Sequence, residues 1–477
     1  MRLSYTLGRT SMAFDDPNLV SAGGLVPVAA LADRAGLRDL ADEHLSGPTD
    51  KGANAGLKVA SLVGGMVASA DSIDDMAVLR HGGMGRVFAR AYAPSTLGSF
   101  LRAFTFGHVR QLDAIASRFL IALAGLTRPL GDSVRPADGA GHGTSHCGYP
   151  LLDVDDTIIE VHGHAKQGAG FSYSGVRGLN ALLATLATAT VIVAQRLRKG
   201  SAGSPRGAKR LVADAVSTAR RLLEQGQLIV VRMDSAFYGR AAIHAALVGG
   251  AAVSVTVRMD KTVKKAIAAI DQGAWTTIEY TDAIFDETTG RWISRAEVAE
   301  VPYTAFAAQK NSDRVSGRLV VRRIPDFNAD KHRAVSQDTL FDVWRFHAFF
   351  STADPDLLDT VAADKTHRHH AVIEQVHADL KGAALAHLPS GVFIANAAWL
   401  VLTVIAFTLT RAAASLTYPQ LMKATTATIR RKLIIVPARV AISARRITLH
   451  LPQAWPWETA WTALFDRVSD PPSVVAA

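Results

Sequence analysis

The chain has 477 residues, of which 49% are hydrophobic and 20% are charged, and this composition excludes a wholly disordered protein. A single cysteine, Cys147, excludes an intramolecular disulfide framework and a cysteine-cluster zinc site, and it fits a reducing compartment. The 52 Lys and Arg residues exceed the 42 Asp and Glu residues, which gives a net charge of +10. This excess permits a polyanionic partner but does not require one.

Residues 1–130 are predicted to form a helical N-terminal region. Residues 25–40 and 54–67 carry apolar side chains at helical spacing. Residues 95–124 are typical both of a helix-turn-helix and of an ordinary pair of packed helices, and the pattern leaves both interpretations open.

A linker is predicted at 131–150, because this stretch is rich in Gly, Pro, Ser and His. His142, His146 and Cys147 lie in it. No CxxC partner accompanies them, so we expect solvated loop residues there and not a metal cluster.

From residue 151 the pattern changes to alternating strands and helices. Three strand-like runs lie within 151–197, a helix is predicted at 207–226, and a buried strand at 227–233 ends at Asp234. This order of elements is similar to the front half of a ribonuclease-H-like α/β core, whose first part is predicted at 151–250.

Short strand-like runs recur through 251–352 and predict a β-rich, antiparallel insertion. The second part of the core is predicted at 353–414, where a helix spans 364–384. The remaining 415–477 form a basic C-terminal region, because no acid occurs between Arg411 and Glu458.

An uncharged segment at 391–410 is long enough to be a membrane-spanning helix, or it is a buried helix of a large domain. Asn396, three threonines and the lack of a second comparable span favour the buried helix. We therefore expect no membrane association.

Three acids lie in one predicted strand, namely Asp153, Asp155 and Asp156. The two-residue period of a strand places Asp153 and Asp155 on one face and Asp156 on the other. Acids inside an apolar strand are costly unless they are paired or bound to a cation. The alternative is that the strand ends here and the acids enter solvent.

Two further acids stand at positions where ligand groups occur. Asp234 follows a buried strand, where open α/β sheets place ligands, although a lone Asp there is also typical of a helix cap. Glu374 lies on a predicted helix with Lys381 two turns later, and the alternative is a surface carboxylate.

Acids contributed by separate core elements could bind a pair of Mg²⁺ ions, because Mg²⁺ prefers carboxylate oxygens as ligands. Two such ions, roughly 4 Å apart, stabilise the attacking and leaving oxygens of a phosphodiester. Basic residues that suit a phosphate track are dense between Arg177 and Arg232, with a solvated surface as the alternative. They are Arg177, Arg196, Arg198, Lys199, Arg206, Lys209, Arg210, Arg220, Arg221 and Arg232.

Four ordered motifs carry a resemblance to a known family: LLDVDDTIIEVHGHAKQG, YSGVRGLNALLATLA, VVRMDSAFYG and AVIEQVHADLKGAALAHLPSGVFIANAAWLVL. They resemble the DDE transposases of bacterial insertion sequences, most closely insertion-sequence family 1380 within the broader family-4 clan. The resemblance covers 151–414. It implies a first catalytic aspartate at Asp155, with Asp153 as a rival metal ligand, a second at Asp234 and a glutamate at Glu374.

The helix motif of the clan reads Tyr, two residues, Arg, three residues, Glu, six residues, Lys. Lys381 matches, because six residues separate it from Glu374, whereas His367 and His370 stand at the Tyr and Arg positions. Arg368 is a candidate substitute for the missing Arg.

The resemblance implies a Mg²⁺-dependent enzyme, with Mn²⁺ as a possible substitute, that moves its insertion sequence by cut-and-paste transposition. It would bind terminal inverted repeats and target DNA as a homodimer, in the cytoplasm and near the nucleoid. The N-terminal region and the basic tail would grip the DNA ends. The residues expected to contact DNA are Lys381, Arg177, Arg232, His370, Arg368, Arg430, Arg431 and Lys432. The alternative is an inactivated or repurposed copy that only binds DNA.

Overall fold

The computed structural model describes most of the chain. The described residues are 4–46, 53–127, 149–163, 165–223, 226–286, 291–325, 344–444 and 446–469. All but the last two residues of the predicted linker at 131–150, including His142, His146 and Cys147, lie outside the described residues.

The described N-terminal region is helical. Its helices are α1 (Leu25–Arg34), α2 (Leu37–His44), α3 (Ala55–Val67), α4 (Met84–Val87), α5 (Pro94–Arg102) and α6 (Phe106–Leu126). A capping box starts α6, because the Thr105 side chain accepts from the His108 amide while His108 Nδ1 accepts from the Thr105 amide at 3.0 Å. Leu112, Ile115 and Phe119 recur at helical spacing along the buried face of α6.

A large mixed sheet forms the centre of the molecule. The two-residue strand β1 (Leu19–Val20) belongs to a smaller sheet. The strands of the large sheet are β2 (Leu151–Glu160), β3 (Gly170–Phe171), β4 (Arg177–Leu186), β5 (Val191–Lys199), β6 (Val230–Met233), β7 (Ala252–Thr256), β8 (Thr276–Asp286), β9 (Arg291–Ala305), β10 (Val315–Pro325) and β11 (Trp344–Ser351). Their order in the sheet is β5-β4-β2-β6-β7-β11-β10-β9-β8, and β3 pairs with the start of β4.

The direction of pairing changes in the middle of the sheet. Strands β5, β4 and β2 are antiparallel neighbours, whereas β2, β6 and β7 run parallel. Strand β11 then pairs antiparallel with β7, and β10, β9 and β8 continue as antiparallel neighbours. The carboxyl ends of β2 and β6 therefore point in the same direction, which positions the candidate site described below.

The structure differs from the antiparallel arrangement predicted for 251–352 in the pairing of one strand. Its first strand, β7, pairs in parallel with β6, whereas the later strands are antiparallel neighbours within the same sheet. The sequence does not reveal this arrangement, because a short apolar run is compatible with either strand direction and any neighbour.

Helices cover both faces of the sheet. They are α7 (Ala208–Leu222), α8 (Arg240–Val248), α9 (Lys261–Ala268), α10 (Thr360–Arg368), α11 (Val372–Lys381) and α12 (Phe393–Ser415). Helices α6 and α7 pack against β5, and α11 packs against β2. A 3₁₀ turn at His369–Ala371 separates α10 from α11, so the predicted single helix at 364–384 is divided.

Helix α12 is the apolar segment that raised the membrane alternative. It is long and apolar enough to cross a membrane by length and composition, yet 89% of its most apolar window is buried inside the protein. It packs against α3, α6 and β5. The apolar composition of α12 is therefore explained by its position in the core, and the Asn396 side chain bonds to the backbone of Ser390 at its start.

The C-terminal region packs against the N-terminal region. Its elements are α13 (Pro419–Met422), α14 (Thr426–Ile429), a π-helical turn (Arg430–Ile434), β12 (Ala438–Ser443), β13 (Arg446–His450) and α15 (Glu458–Ser469). Strand β1 pairs with β12 in a three-stranded sheet, and Arg34 of α1 donates to the Val468 carbonyl at 2.7 Å.

Candidate active site

The parallel pairing of β2 with β6 places two acids side by side. Val154 is the partner of Met233, and the next residues are Asp155 and Asp234. Neighbouring strands lie about 4.8 Å apart, so the backbones of the two acids are close where the parallel pairing ends, in the middle of β2 and just after β6.

Asp234 leaves the end of β6 and begins a short 3₁₀ helix (Ser235–Phe237). Its side chain accepts a hydrogen bond from the Ala236 amide at 3.0 Å, so the capping alternative also applies to this residue. Partial desolvation by the surrounding protein raises the pKa of the Asp234 carboxyl above its ordinary value, against the opposing effect of the Ala236 and Phe237 amides. The cap fixes the orientation of a carboxylate that remains exposed.

Asp155 is the most perturbed acid of the site. Its side chain is only 22% exposed, and burial raises the pKa of its carboxyl to about 7. The negative charges of Asp234, Asp156 and Glu374 raise this pKa further, and only the Asp156 amide opposes them. Asp155, Asp234 and Glu374 therefore lie within electrostatic reach of one another.

Glu374 and His377 come from helix α11, which packs against β2. Glu374 is exposed, while His377 is buried one turn further along the helix. The His377 Nδ1 atom lies 3.9 Å from Asp155 Oδ2. Burial lowers the pKa of His377 to about 4, assisted by the positive charges of Lys381 and His370, so the imidazole is neutral at pH 7.

The donor set fits a hard divalent cation. Among the described residues, no Lys or Arg forms an ion pair with Asp155, Asp234 or Glu374, and the other two acids and Asp156 raise the pKa of Asp155 by repulsion. Carboxylate oxygens are the ligands that Mg²⁺ prefers. No three His, Cys, Asp or Glu side chains in the described ranges are already close enough to hold one ion, so binding would draw the carboxylates together.

Comparison with known protein families matches residues 8–472 to the family described as Transposase DDE domain group 1. The chain belongs to this family. A comparison with curated protein sequences found no match. Among solved structures, the chain is similar to a piggyBac transposase in a synaptic complex with hairpin DNA, with a TM-score of 0.36 and 9% identity over 95% of this chain and 86% of that one. A structural similarity this low does not assign a role to any residue of this transposase.

Asp153, the rival metal ligand, has a different role in the transposase. Its carboxylate forms a two-pronged ion pair with Arg232, with Nε–Oδ1 at 2.6 Å and Nη2–Oδ2 at 2.7 Å. Both side chains are fully buried, and Arg232 also donates to the Thr366 carbonyl of α10. The predictions that Asp153 binds metal and that Arg232 contacts DNA are wrong, because each side chain neutralises the other inside the core.

Asp156 lies on the opposite face of β2 from Asp155, as the strand period predicts. It pairs with the buried Arg198 of β5, whose Nε also donates to Asn180 Oδ1 at 2.9 Å. Arg196, on the same strand, pairs with Asp214 of α7 at 2.5 Å. Part of the basic density that suggested a phosphate track therefore serves internal ion pairs.

Lys381 lines a groove beside the outer half of β2. The groove has a volume of about 460 Å³ and also contacts Thr157 and Tyr173. Burial lowers the pKa of Lys381 from its ordinary value. Arg177 lies at the start of β4, and its guanidinium donates to the Gly163 carbonyl after β2.

Arg368 and His370 lie near the junction of α10 and α11. Arg368 donates to Asp364 at 2.8 Å and remains partly exposed. The positive charge of His370 lowers the pKa of Asp234, which shows that His370 is close to that acid. Within the described part of the chain, the buried Nε2 atom of His370 has no hydrogen-bond partner.

The three predicted DNA contacts in the C-terminal region differ from one another. Arg430 donates to the carbonyls of Met66 and Val67, each at 3.2 Å, so its guanidinium is occupied at the end of α3 and does not support the predicted DNA contact. Arg431 is exposed. The Lys432 ammonium lies over the Trp457 ring, 5.3 Å from its centroid.

Sequence reasoning did not assign a role to His377. The available signal was the spacing Glu-x-x-His, which places Glu374 and His377 on one helix face. The contact with Asp155 depends on how α11 packs on β2, and no sequence pattern contains that information.

Proposed function

We propose that this transposase cuts DNA at the ends of its own insertion sequence and joins the resulting 3′-hydroxyls to target DNA. The observation that carries the proposal is the group of mutually repelling carboxylates formed by Asp155 of β2, Asp234 after the adjacent parallel strand β6, and Glu374 of helix α11. Family membership supports the same activity.

We assign the strands β5, β4, β2, β6 and β7 to a ribonuclease-H-like core. Three antiparallel strands, then helix α7 and two parallel strands, follow the order expected for that fold. The strands β8 to β11 are the insertion between Asp234 and Glu374. The four sequence motifs favour the narrower assignment to insertion-sequence family 1380.

Asp155, Asp234 and Glu374 would hold Mg²⁺, with Mn²⁺ as a substitute. Bound there, the ions would activate the attacking hydroxyl and stabilise the leaving oxygen of the phosphodiester. The chain contributes orientation, because the Ala236 amide fixes Asp234 and the β2 strand fixes Asp155. It also limits water around Asp155, whose side chain is mostly buried.

The groove beside β2 is the proposed path of the DNA strand that is cut. Lys381 would contact a phosphate there, His370 lies close to Asp234, and Arg177 and Arg368 would supply further phosphate contacts. The helical N-terminal region and the exposed Arg431 would bind the terminal inverted repeats. Two protomers would pair two ends in the cytoplasm, near the nucleoid.

End-labelled DNA that carries the inverted repeats tests the proposal. We expect the full-length protein to nick the labelled end in Mg²⁺ or Mn²⁺, and EDTA to abolish nicking while binding in a gel-shift assay persists. Binding without nicking at any divalent ion would instead identify a copy that only binds DNA, which is the alternative from the sequence.

A further inference from the structure

The His377 ring is buried beside the candidate site, and no described residue forms a hydrogen bond with it. The residue is 6% exposed, and its Nε2 atom has no hydrogen-bond partner among the described residues. Its Nδ1 atom is 3.9 Å from Asp155 Oδ2, which is beyond hydrogen-bond distance. No hydrogen bond from the described residues reaches Nδ1 either, so in the tautomer that carries its proton on Nε2 the Nδ1 lone pair is available to a cation beside Asp155.

The distance between Nδ1 and Asp155 suits a shared metal ion. Two ligands, each about 2.1 Å from one ion, are separated by roughly 3.0 to 4.2 Å, depending on the angle at the ion. The 3.9 Å separation falls in this range. Glu374 precedes His377 by three residues, so α11 presents a buried imidazole and, one turn before it, an exposed carboxylate whose charge acts on Asp155.

We propose that His377 Nδ1 is a protein ligand of the ion that Asp155 binds. This inference rests on the proposed function and adds a nitrogen donor to the three carboxylates. An imidazole favours Mn²⁺ and the later transition metals over Mg²⁺, which prefers oxygen. The site is therefore selective for Mn²⁺ to a degree that carboxylates alone do not provide.

Pulsed electron paramagnetic resonance of Mn²⁺ bound to the full chain tests the ligand directly. We expect a ¹⁴N coupling in the wild type that disappears in His377→Phe, which fills the same space without a nitrogen. By calorimetry, the Kd for Mn²⁺ should rise about tenfold and the Kd for Mg²⁺ much less. His387→Asn is the matched control, because His387 is 66% exposed and pairs with Asp71.

The metal-free proteins supply an independent measurement. His377→Phe should have a Tm in EDTA equal to that of the wild type, because the replacement removes no hydrogen bond among the described residues. His377→Asn gives the same spectroscopic test if the Phe variant does not fold. A ¹⁴N coupling that persists in both variants, or that is absent from the wild type, overturns the inference.

The outcome separates this inference from the proposed function. If Mn²⁺ binds and supports nicking without ¹⁴N coupling, the histidine ligand is wrong and the proposed function stands. If the wild type binds no Mn²⁺ and does not nick DNA, the proposed function fails together with the inference.

Discussion

Asp155→Asn and Asp234→Asn are each expected to lower the DNA cleavage rate by about 1000-fold and to leave end binding unchanged. A bound metal supplies several kcal/mol of transition-state stabilisation, and each 1.36 kcal/mol corresponds to a tenfold change in rate. Losing about 4 kcal/mol therefore gives this effect. Asparagine keeps the shape of the side chain and, at Asp234, its capping oxygen.

Asp271→Asn is the matched control for the second of these variants. Asp271 also caps a short 3₁₀ helix (Gln272–Ala274), and its side chain accepts from the Gly273 amide at 2.7 Å. Asp271 lies outside the candidate site, so the Asp271→Asn variant should cleave DNA at the rate of the wild type. Cleavage by Asp234→Asn at the rate of Asp271→Asn, measured on labelled ends in Mg²⁺, would refute the metal-binding role.

Arg232→Ala is expected to lower the free energy of unfolding by about 3–5 kcal/mol. The substitution leaves the Asp153 carboxylate charged and fully buried, which is the costly way to break a buried ion pair. Urea denaturation of the wild type and the variant measures the loss. Replacing both residues by leucine should cost less than the sum of the single changes, because no unpaired charge remains.

Arg431→Ala is the control for this prediction, because Arg431 is exposed and its loss should change the stability by less than about 0.5 kcal/mol. If Arg232→Ala has the stability of the wild type and instead weakens DNA binding, the structural role assigned to Arg232 is incorrect.

The positions of the candidate acids follow from local sequence patterns. Asp155 lies in a strand whose apolar run is interrupted by acids, Asp234 directly follows another strand, and Glu374 lies in the first turn of a helix. Such patterns indicate where a residue lies along its element. They also place Asp156 on the opposite strand face from Asp155, because side chains alternate along a strand.

Pairing across the sheet was not predictable in the same way. Asp153 and Arg232 are 79 residues apart and meet only because β2 and β6 are parallel in one register. A shift of one residue would have placed Asp153 on the other face. For the same reason, the sequence suggested a metal ligand and a phosphate contact where the structure has a buried ion pair.

Long-range packing also determines which basic residues are free. Arg430 belongs to a basic run, yet it meets the end of α3, more than 360 positions away in the chain. Composition shows how many basic residues a segment contains. It does not show which guanidinium groups already donate hydrogen bonds to backbone carbonyls. The pairing of β1 with β12, which joins the two terminal regions, was equally invisible, because each strand is short.

The most direct test is the location of Mn²⁺ by anomalous diffraction from crystals of the full-length transposase grown with the ion. The account predicts anomalous density between the carboxylates of Asp155 and Asp234, within bonding distance of both, and its loss in Asp234→Asn. Ordered Mn²⁺ elsewhere, with the space between these two acids empty at saturating Mn²⁺, would contradict it.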